Sequence, residues 1–577
     1  MSRIFIALAS VSTDSWCLPA LGRVSLAQRA GFVPNDPAAA GAFATIRGMM
    51  AAAMLATTLS MPAAPLGPYE ASAFRLSTGA GAGESLIPAA RFLFRAETIA
   101  LPAQGPYAEY ARATEPFADI RAWAEAPGPL TKPPLVWIAA PQRFNGARIA
   151  PDGRSLEAAG APMPLELFPK IPLNRSYANG ATFSYLARRP VTVRGERQPS
   201  GTFIARSFWP EDWRLDDTAP AVVLPANASA ALAVRGLMRS APRGGAESPF
   251  ATQVIWEREP GRRDWAGHAV LGVIVNGAQG DDDEAWGGHF ALATGQLPAD
   301  GRLSDLLVAN FYSLGVESEK GILAAPVPLD NYLGDLNSGQ AWYRPTYIAL
   351  ALLRDRRAAD FVQGAMNRLY LQFWRRQLAY EHSTMNCASI SVDTLRSLGW
   401  PVRARGPANT ALAWLSIPAM IFKEGKVSVA RTTYEYLTED RTRLMPAAAF
   451  EESAADLLRL AKEGAGPADG KLARWLAEDL VAIVGVRIPQ IPSSRKFGTW
   501  PVANPREYLG AIPRDPADAQ IVPVPPRVFP ESLRDPDLLP PARRRSTVPL
   551  LIWAASGVLF LAWAAGFLWR RVNPSRP

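Results

Sequence analysis

A chain of 577 residues with 48% apolar and 20% charged content has material for a sizeable core spread over two or three folded units. Its formal charge of +9 is carried mostly by Arg scattered along the chain, with no basic stripe interleaved with aromatics, so composition argues against nucleic acid as a partner. Two cysteines and three histidines leave few residues for nucleophilic or metal chemistry.

Residues 1–88 are expected to be an N-terminal extension with a candidate signal segment and a linker. Arg47 precedes the apolar run from Met49 to Pro65, the layout of a secretory signal. IFIALASV after Arg3 is a second, shorter candidate, and Cys17 in DSWCLPAL lacks the small-residue context of a lipid-modified cysteine. From Ala63 to Pro88 the chain is rich in Ala, Gly, Ser and Pro. Residues 89–262 are expected to form a β-rich accessory domain. There PLVWIAAP and APAVVLPA alternate with turn residues, and FIARSF and TQVIWERE have the look of short strands. Asn227 fits the glycosylation triplet.

Residues 263–486 carry the chemistry. His268 opens the apolar run HAVLGVIVNG, His289 opens HFALATG, and LLVANFYSLG runs from Leu306 to Gly315. Three such runs joined by polar, Gly-rich loops predict a small antiparallel sheet. The acidic loop at Asp281, Asp282, Asp283 and Glu284 matches no EF-hand spacing, so no metal and no cofactor is expected. From Tyr347 to Leu378 the pattern predicts helix, with Phe361, Ala365, Leu369 and Phe373 recurring every four residues.

The stretch EHSTMNCASISVDTLRSLG, from Glu381 to Gly399, follows. Ser383, Thr384 and Asn386 are helix-capping types, and Cys387, Ile390, Leu395 and Leu398 share one helical face. Gly399 and Pro401 supply the stop. Cys387 is thus expected in the first turn of a buried helix, where backbone N–H groups and the helix dipole favour a thiolate. From Asn409 to Phe422 the chain predicts a core helix interrupted by Pro418, or the wall of a lipid-accepting groove. Glu451 to Val486 reads as a polar amphipathic helix and its successor.

Residues 487–545 are dense in Pro and predict an extended tether. Within residues 546–577, Val548 to Trp569 is uncharged and long enough to cross a bilayer of about 30 Å. Arg543, Arg544 and Arg545 flank one side of it, and Arg570, Arg571 and Arg576 the other. If a signal is used, the large domain is exported and the short basic tail stays in the cytoplasm. Cleavage after the Met49 run would leave Cys387 as the one cysteine, a hazard in an oxidising compartment unless it is buried or used.

A cysteine nucleophile needs a base, and His is the residue type suited to that task near neutrality. His289 and His268 each begin a strand-like run, His382 lies just before the Cys387 helix, and Asn310 is the residue that would orient an imidazole.

The texts GGHFALATG, ANFYSLG and YEHSTMNCASISVDTLRSLG, in that order, resemble the bacterial lipoprotein N-acyltransferase (Lnb-like) family. The likeness runs from about Trp286 to Gly399. It implies an α+β, circularly permuted papain-like fold: a small antiparallel sheet packed on helices. It puts the family's nucleophile on Cys387 and its base on His289, with Asn310 near the polar strand position and His268 as an alternative base. It also implies thioester chemistry, with Asn386 and Cys387 at a helix start whose N–H groups would hold the oxyanion. The expected activity is then a membrane-anchored acyltransferase or acyl hydrolase, whose partners are the lipid bilayer and a lipidated protein or phospholipid. A papain-like cell-wall peptidase or amidase, and a non-enzymatic membrane-anchored scaffold, remain alternatives.

Overall fold

The computed structural model describes residues 74–77, 98–102, 115–126, 136–138 and 140–511, apart from 141, 170–174, 223–228, 280–286, 312–324, 337, 375–377 and 379. Cys17, the candidate signals, Asn227, the Asp281–Glu284 loop, residues 512–545 of the Pro-rich tether and the apolar run 548–569 lie outside the described residues. Residues 487–511, expected to begin the extended tether, instead pack on the folded part: Ile488, Ile491, Val502 and Ala503 are buried, and Pro505–Ala511 is a helix. Among the described residues no helix is long and apolar enough to cross a membrane.

The molecule is a mixed α+β structure. Three short strands, β1 (Phe74–Ser77), β2 (Thr98–Pro102) and β3 (Val136–Ile138), pair antiparallel in that order. Next come β4 (Gln142–Ile149), β5 (Ser155–Ala158), β6 (Ala161–Leu167), β7 (Val191–Arg197) and β8 (Phe203–Pro210), which close a barrel in the order β4-β5-β6-β8-β7. β6 and β8 pair parallel, and a helix, Gly180–Leu186, lies between β6 and β7 in the chain. This connectivity is that of an OB-type Greek-key barrel. Residues alternate as a barrel wall requires: Leu156, Ala158, Met163 and Leu165 are buried, while Glu157 and Glu166 are exposed. At the bulge in β7 only glycine fits, because a Cβ on Gly195 would fall 2.2 Å from the Ile204 carbonyl oxygen.

A second sheet is the centre of the fold. β9 (Ala251–Glu257), β10 (Ala269–Asn276), β11 (His289–Gln296), β12 (Leu307–Asn310), β13 (Ala325–Pro328), β14 (Thr346–Leu353) and β15 (Leu480–Ile488) are ordered β13-β12-β11-β10-β14-β15-β9. Every neighbouring pair is antiparallel. Both faces are covered. Val270, Ile274, Ile348 and Leu350 face the core shared with the barrel. Leu271, Val273, Ala349 and Ala351 face a helical layer built from Arg357–Trp374, Cys387–Ser397, Pro446–Glu463 and Lys471–Asp479, with Pro116–Glu125 beside them.

This double burial explains two differences from the sequence reading. Thr346–Leu353 is a strand, so the helix expected from Tyr347 starts only at Arg357. The expected successor helix before Val486 is shorter, Lys471–Asp479, and gives way to β15. Strands buried on both faces carry unbroken apolar text and lose the alternation that marks a strand. In the third expected run, the described strand covers Leu307–Asn310, and residues 312–315 lie outside the described ones.

The boundary expected at residue 262 cuts through this sheet, since β9 pairs with β15. The helix Ala230–Arg239 is likewise tied to Pro446–Glu463, with Arg235 donating to both carboxylate oxygens of Glu451 at 2.7 Å. Ion pairs tie the barrel to segments flanking β12 and β13: the buried pair Arg194–Asp330 at 2.6 Å, and Arg143 to half-buried Asp305 at 2.6 Å.

Candidate active site

The helix Cys387–Ser397 begins where its sequence says it should. The Asn386 Oδ1 accepts from the N–H groups of Ala388 (2.9 Å) and Ser389 (3.0 Å), and the Ser389 hydroxyl accepts from the Asn386 N–H at 2.7 Å, a complete capping box. Asn386 Nδ2 donates to the His382 carbonyl at 2.9 Å. The Asn386 amide is therefore spent on shaping the turn. The helix start expected to hold an oxyanion offers fewer donors than predicted, because the cap takes the N–H groups of Ala388 and Ser389 and leaves that of Cys387 itself. At the other end Gly399 takes a φ of +86° and lies against Gly470, where a Cβ would collide with backbone.

Cys387 is a buried free thiol. Its sulfur meets the backbone of Phe290, the side chain of Tyr380 and the backbone of Ala388. Phe290 follows His289, so the helix start and the start of β11 come together. Burial pushes the Cys387 thiol up, against the pull of these contacts and of the Arg344 guanidinium. The helix start was expected to favour the thiolate; desolvation in this dry position outweighs the dipole.

His289 is buried, and its Nε2 lies 3.1 Å from Asn310 Oδ1. Asn310 is fixed in turn by Tyr370, whose hydroxyl donates to the Asn310 carbonyl at 2.8 Å and whose ring stacks on Phe311 at 4.3 Å. Burial, with the nearby Arg344 charge, pushes the imidazole down to about 3, and the Asn310 hydrogen bond opposes that shift. The resting thiol and the resting imidazole are thus both neutral.

The antiparallel register gathers the remaining parts. It sets His289 opposite Asn276, and Asn276 opposite Thr346. Asn276 Nδ2 donates to Thr346 Oγ1 at 2.7 Å, and Asn276 Oδ1 accepts from the Tyr332 hydroxyl, whose ring sits 6.3 Å from the imidazole. Arg344 just precedes β14; it is buried, donates to Gln340 at 2.8 Å and reaches the Gly277 carbonyl at 3.3 Å. One end of the sheet therefore carries His289, Asn310, Asn276 and Arg344 under the Cys387 helix.

His268 does not join them. It precedes Ala269, which pairs with Gln296 at the opposite end of β10 and β11. About seven residues of strand separate that end from His289, roughly 23 Å at 3.3 Å per residue. His382 is exposed in the turn before the helix, with its ring edge-on to Tyr380 at 5.1 Å. Sequence reasoning missed Tyr380, Arg344 and Asn276. Tyr380 opens the quoted text YEHSTMNC; Arg344 and Asn276 carry no local signal, since only the sheet register brings them in. Among the described residues no group of His, Cys, Asp and Glu could hold a metal ion.

No family model matches the chain, and neither a curated protein nor a solved structure does. The likeness to lipoprotein N-acyltransferases rests on the quoted motifs alone.

Proposed function

We propose that this chain is a cysteine-dependent acyltransferase or acyl hydrolase of permuted papain-like type, working through a thioester on Cys387. The observation that carries the reading is the His289–Asn310 hydrogen bond, formed at the strand end whose next residue, Phe290, meets the Cys387 sulfur. A nucleophile, a base and a residue orienting that base in one buried place is the pattern of covalent acyl transfer.

In this reading the Cys387 sulfur attacks an ester carbonyl while His289 takes the thiol proton. The C–O bond breaks, the leaving alcohol takes that proton, and the acyl group stays on sulfur. An amine or water then attacks the thioester, giving amide or acid and restoring the thiol. Tyr380 and the Cys387 N–H are the donors available to the tetrahedral oxyanion. Arg344 adds fixed positive charge where negative charge develops. The substrates are acyl chains of phospholipid or lipidated protein, and the run 548–569 holds the enzyme at the bilayer with its folded part on the extracytoplasmic side.

The test is the intact mass of the full chain after incubation with phospholipid and a diacylated lipopeptide, with Cys387→Ala alongside. The expected result is a fatty-acyl increment on the wild type, absent from the variant and removed by hydroxylamine. No increment and no lipopeptide conversion would overturn the lipid reading. Cleavage of cell-wall peptides under the same conditions would establish the peptidase instead.

A further inference from the structure

We infer that the helical hairpin at residues 410–438 is a membrane-surface element whose outer face lies in the headgroup region of an anionic bilayer. Its first helix, Thr410–Glu424, is capped by Asn409 Oδ1 accepting from the Leu412 N–H at 2.9 Å, runs through Pro418 and ends at Gly425 with a φ of +64°. The second, Val427–Thr438, returns against it. The pair has its own small core, made by Ala413, Ile417, Met420, Ala430, Tyr434 and Leu437. That core uses up one face of the first helix, and the other face is apolar as well.

Leu415 is 60% exposed, Phe422 69% and Trp414 36%, and Val427, just past the tip, is 57% exposed. Six large apolar residues stand exposed among the described residues and four of them are these, so they form a patch where singly scattered ones would need no explanation. Leu415 and Phe422 are seven residues apart and share one helical stripe. No charge interrupts the helix from Thr410 to Phe422. Lys423 and Lys426 then stand exposed at the tip, Lys423 with its ammonium 3.2 Å from the Glu424 carboxylate and Lys426 just past Gly425.

An apolar face edged by lysines is the chemistry of an interfacial helix on anionic lipid. The uncharged run 548–569, flanked by arginines, is the second argument for this occupant, because it puts the same chain at a bilayer. The hairpin is also coupled to the nucleophile's turn. Glu435, on its second helix, accepts from the Ser383 hydroxyl at 3.1 Å, four residues before Cys387.

The inference is tested on the full chain in vesicles, without any activity assay, so its failure is separate from failure of the proposed chemistry. Cys17→Ala and Cys387→Ala remove the background thiols, and Phe422→Cys carries an environment-sensitive fluorophore. A second preparation carries the label at Glu157→Cys, exposed on the barrel. The vesicles hold phosphatidylcholine, phosphatidylglycerol and a lipid with a nitroxide on its acyl chain. The expected result is quenching several-fold greater at position 422 than at 157, reduced when Lys423→Glu and Lys426→Glu are combined. Equal, weak quenching at both positions overturns the inference. So does a label at 422 that is shielded from water but untouched by lipid nitroxide, since protein, from a second copy or the chain's own C-terminal run, would then cover the face. The two labelled positions, 422 and 157, are exposed, and unchanged thermal unfolding confirms that the variants fold.

Discussion

His289 Nε2 faces Asn310 Oδ1 at 3.1 Å, across the start of β11 and the end of β12. An amide oxygen only accepts, so Nε2 carries the hydrogen and the lone pair sits on Nδ1. The pair fixes both the tautomer and the tilt of the His289 ring.

Asn310→Ala should therefore leave the fold intact and slow acylation of Cys387. A positioned base supplies about 10²–10⁴ in rate, and losing its orientation should forfeit at least about tenfold of that. Single-turnover acylation with a chromogenic ester would measure it. Loss in KM alone, with kcat unchanged, would mean that Asn310 does not act through the imidazole.

The thiol gives a second expectation. Burial holds it above the ordinary cysteine value while the imidazole titrates near 3, so there is no thiolate–imidazolium pair over the neutral range. In a Cys17→Ala background, alkylation of Cys387 by iodoacetamide should keep accelerating with pH through about 9, past the usual thiol value near 8.5. A rate that is already flat from pH 5 upward would show a preformed ion pair and contradict this account.

Arg344 lowers both titrating groups of the site, the thiol by favouring its anion and the imidazole by opposing its cation. Arg344→Met should move both upward: the alkylation profile shifts to higher pH, and the His289 proton signals titrate at higher pH. Losing its bonds to Gln340 and Gly277 should also cost about 1–3 kcal/mol of stability, read from denaturant midpoints. A profile that stays in place would mean that the Arg344 charge is not felt at Cys387.

Local chemistry was the legible part of this chain. Asn386 and Gly399 lie within one helix's length, and each acts through its own conformational preference, so the start of the helix, the buried cysteine in its first turn and the stop could be read from the text. His289 was legible as the opening of an apolar run and Asn310 as a polar residue inside the next one. What could not be read was pairing. That Asn276 faces His289 while His268 goes to the far end follows from antiparallel register, which depends on tertiary contact. The buried strand TYIALALL passed for helix because burial on both faces erases alternation. The thiol's direction was misjudged because the dipole is a local property, whereas desolvation depends on everything packed above it.

Barrel and site should be energetically linked. Arg194 in β7 donates to Asp330 at 2.6 Å, with side-chain exposures of 6% and 1%. Asp330 lies in the short helix Leu329–Gly334, which also holds Tyr332 against His289. Arg194→Met leaves a buried carboxylate without this partner and should cost about 3–5 kcal/mol. Arg194→Met with Asp330→Leu should recover most of it, and urea unfolding of the three proteins decides. A single variant as stable as wild type would show that Asp330 is satisfied elsewhere.

The acid side of the stability profile should carry the mark of His289. Unfolded, its imidazole takes a proton near pH 6.5; folded, it resists until about 3. Between those values the unfolded state binds the extra proton, so stability falls as pH drops below about 6.5 and is unaffected well above it. At pH 5 the loss amounts to about 2 kcal/mol relative to pH 7. His289→Gln lacks the titrating group and should lose that much less over the same interval, whatever the carboxylates contribute to both proteins. Parallel melting curves for the two proteins between pH 7 and 5 would instead mean that the imidazole already takes up its proton within the folded protein, which requires water to reach it.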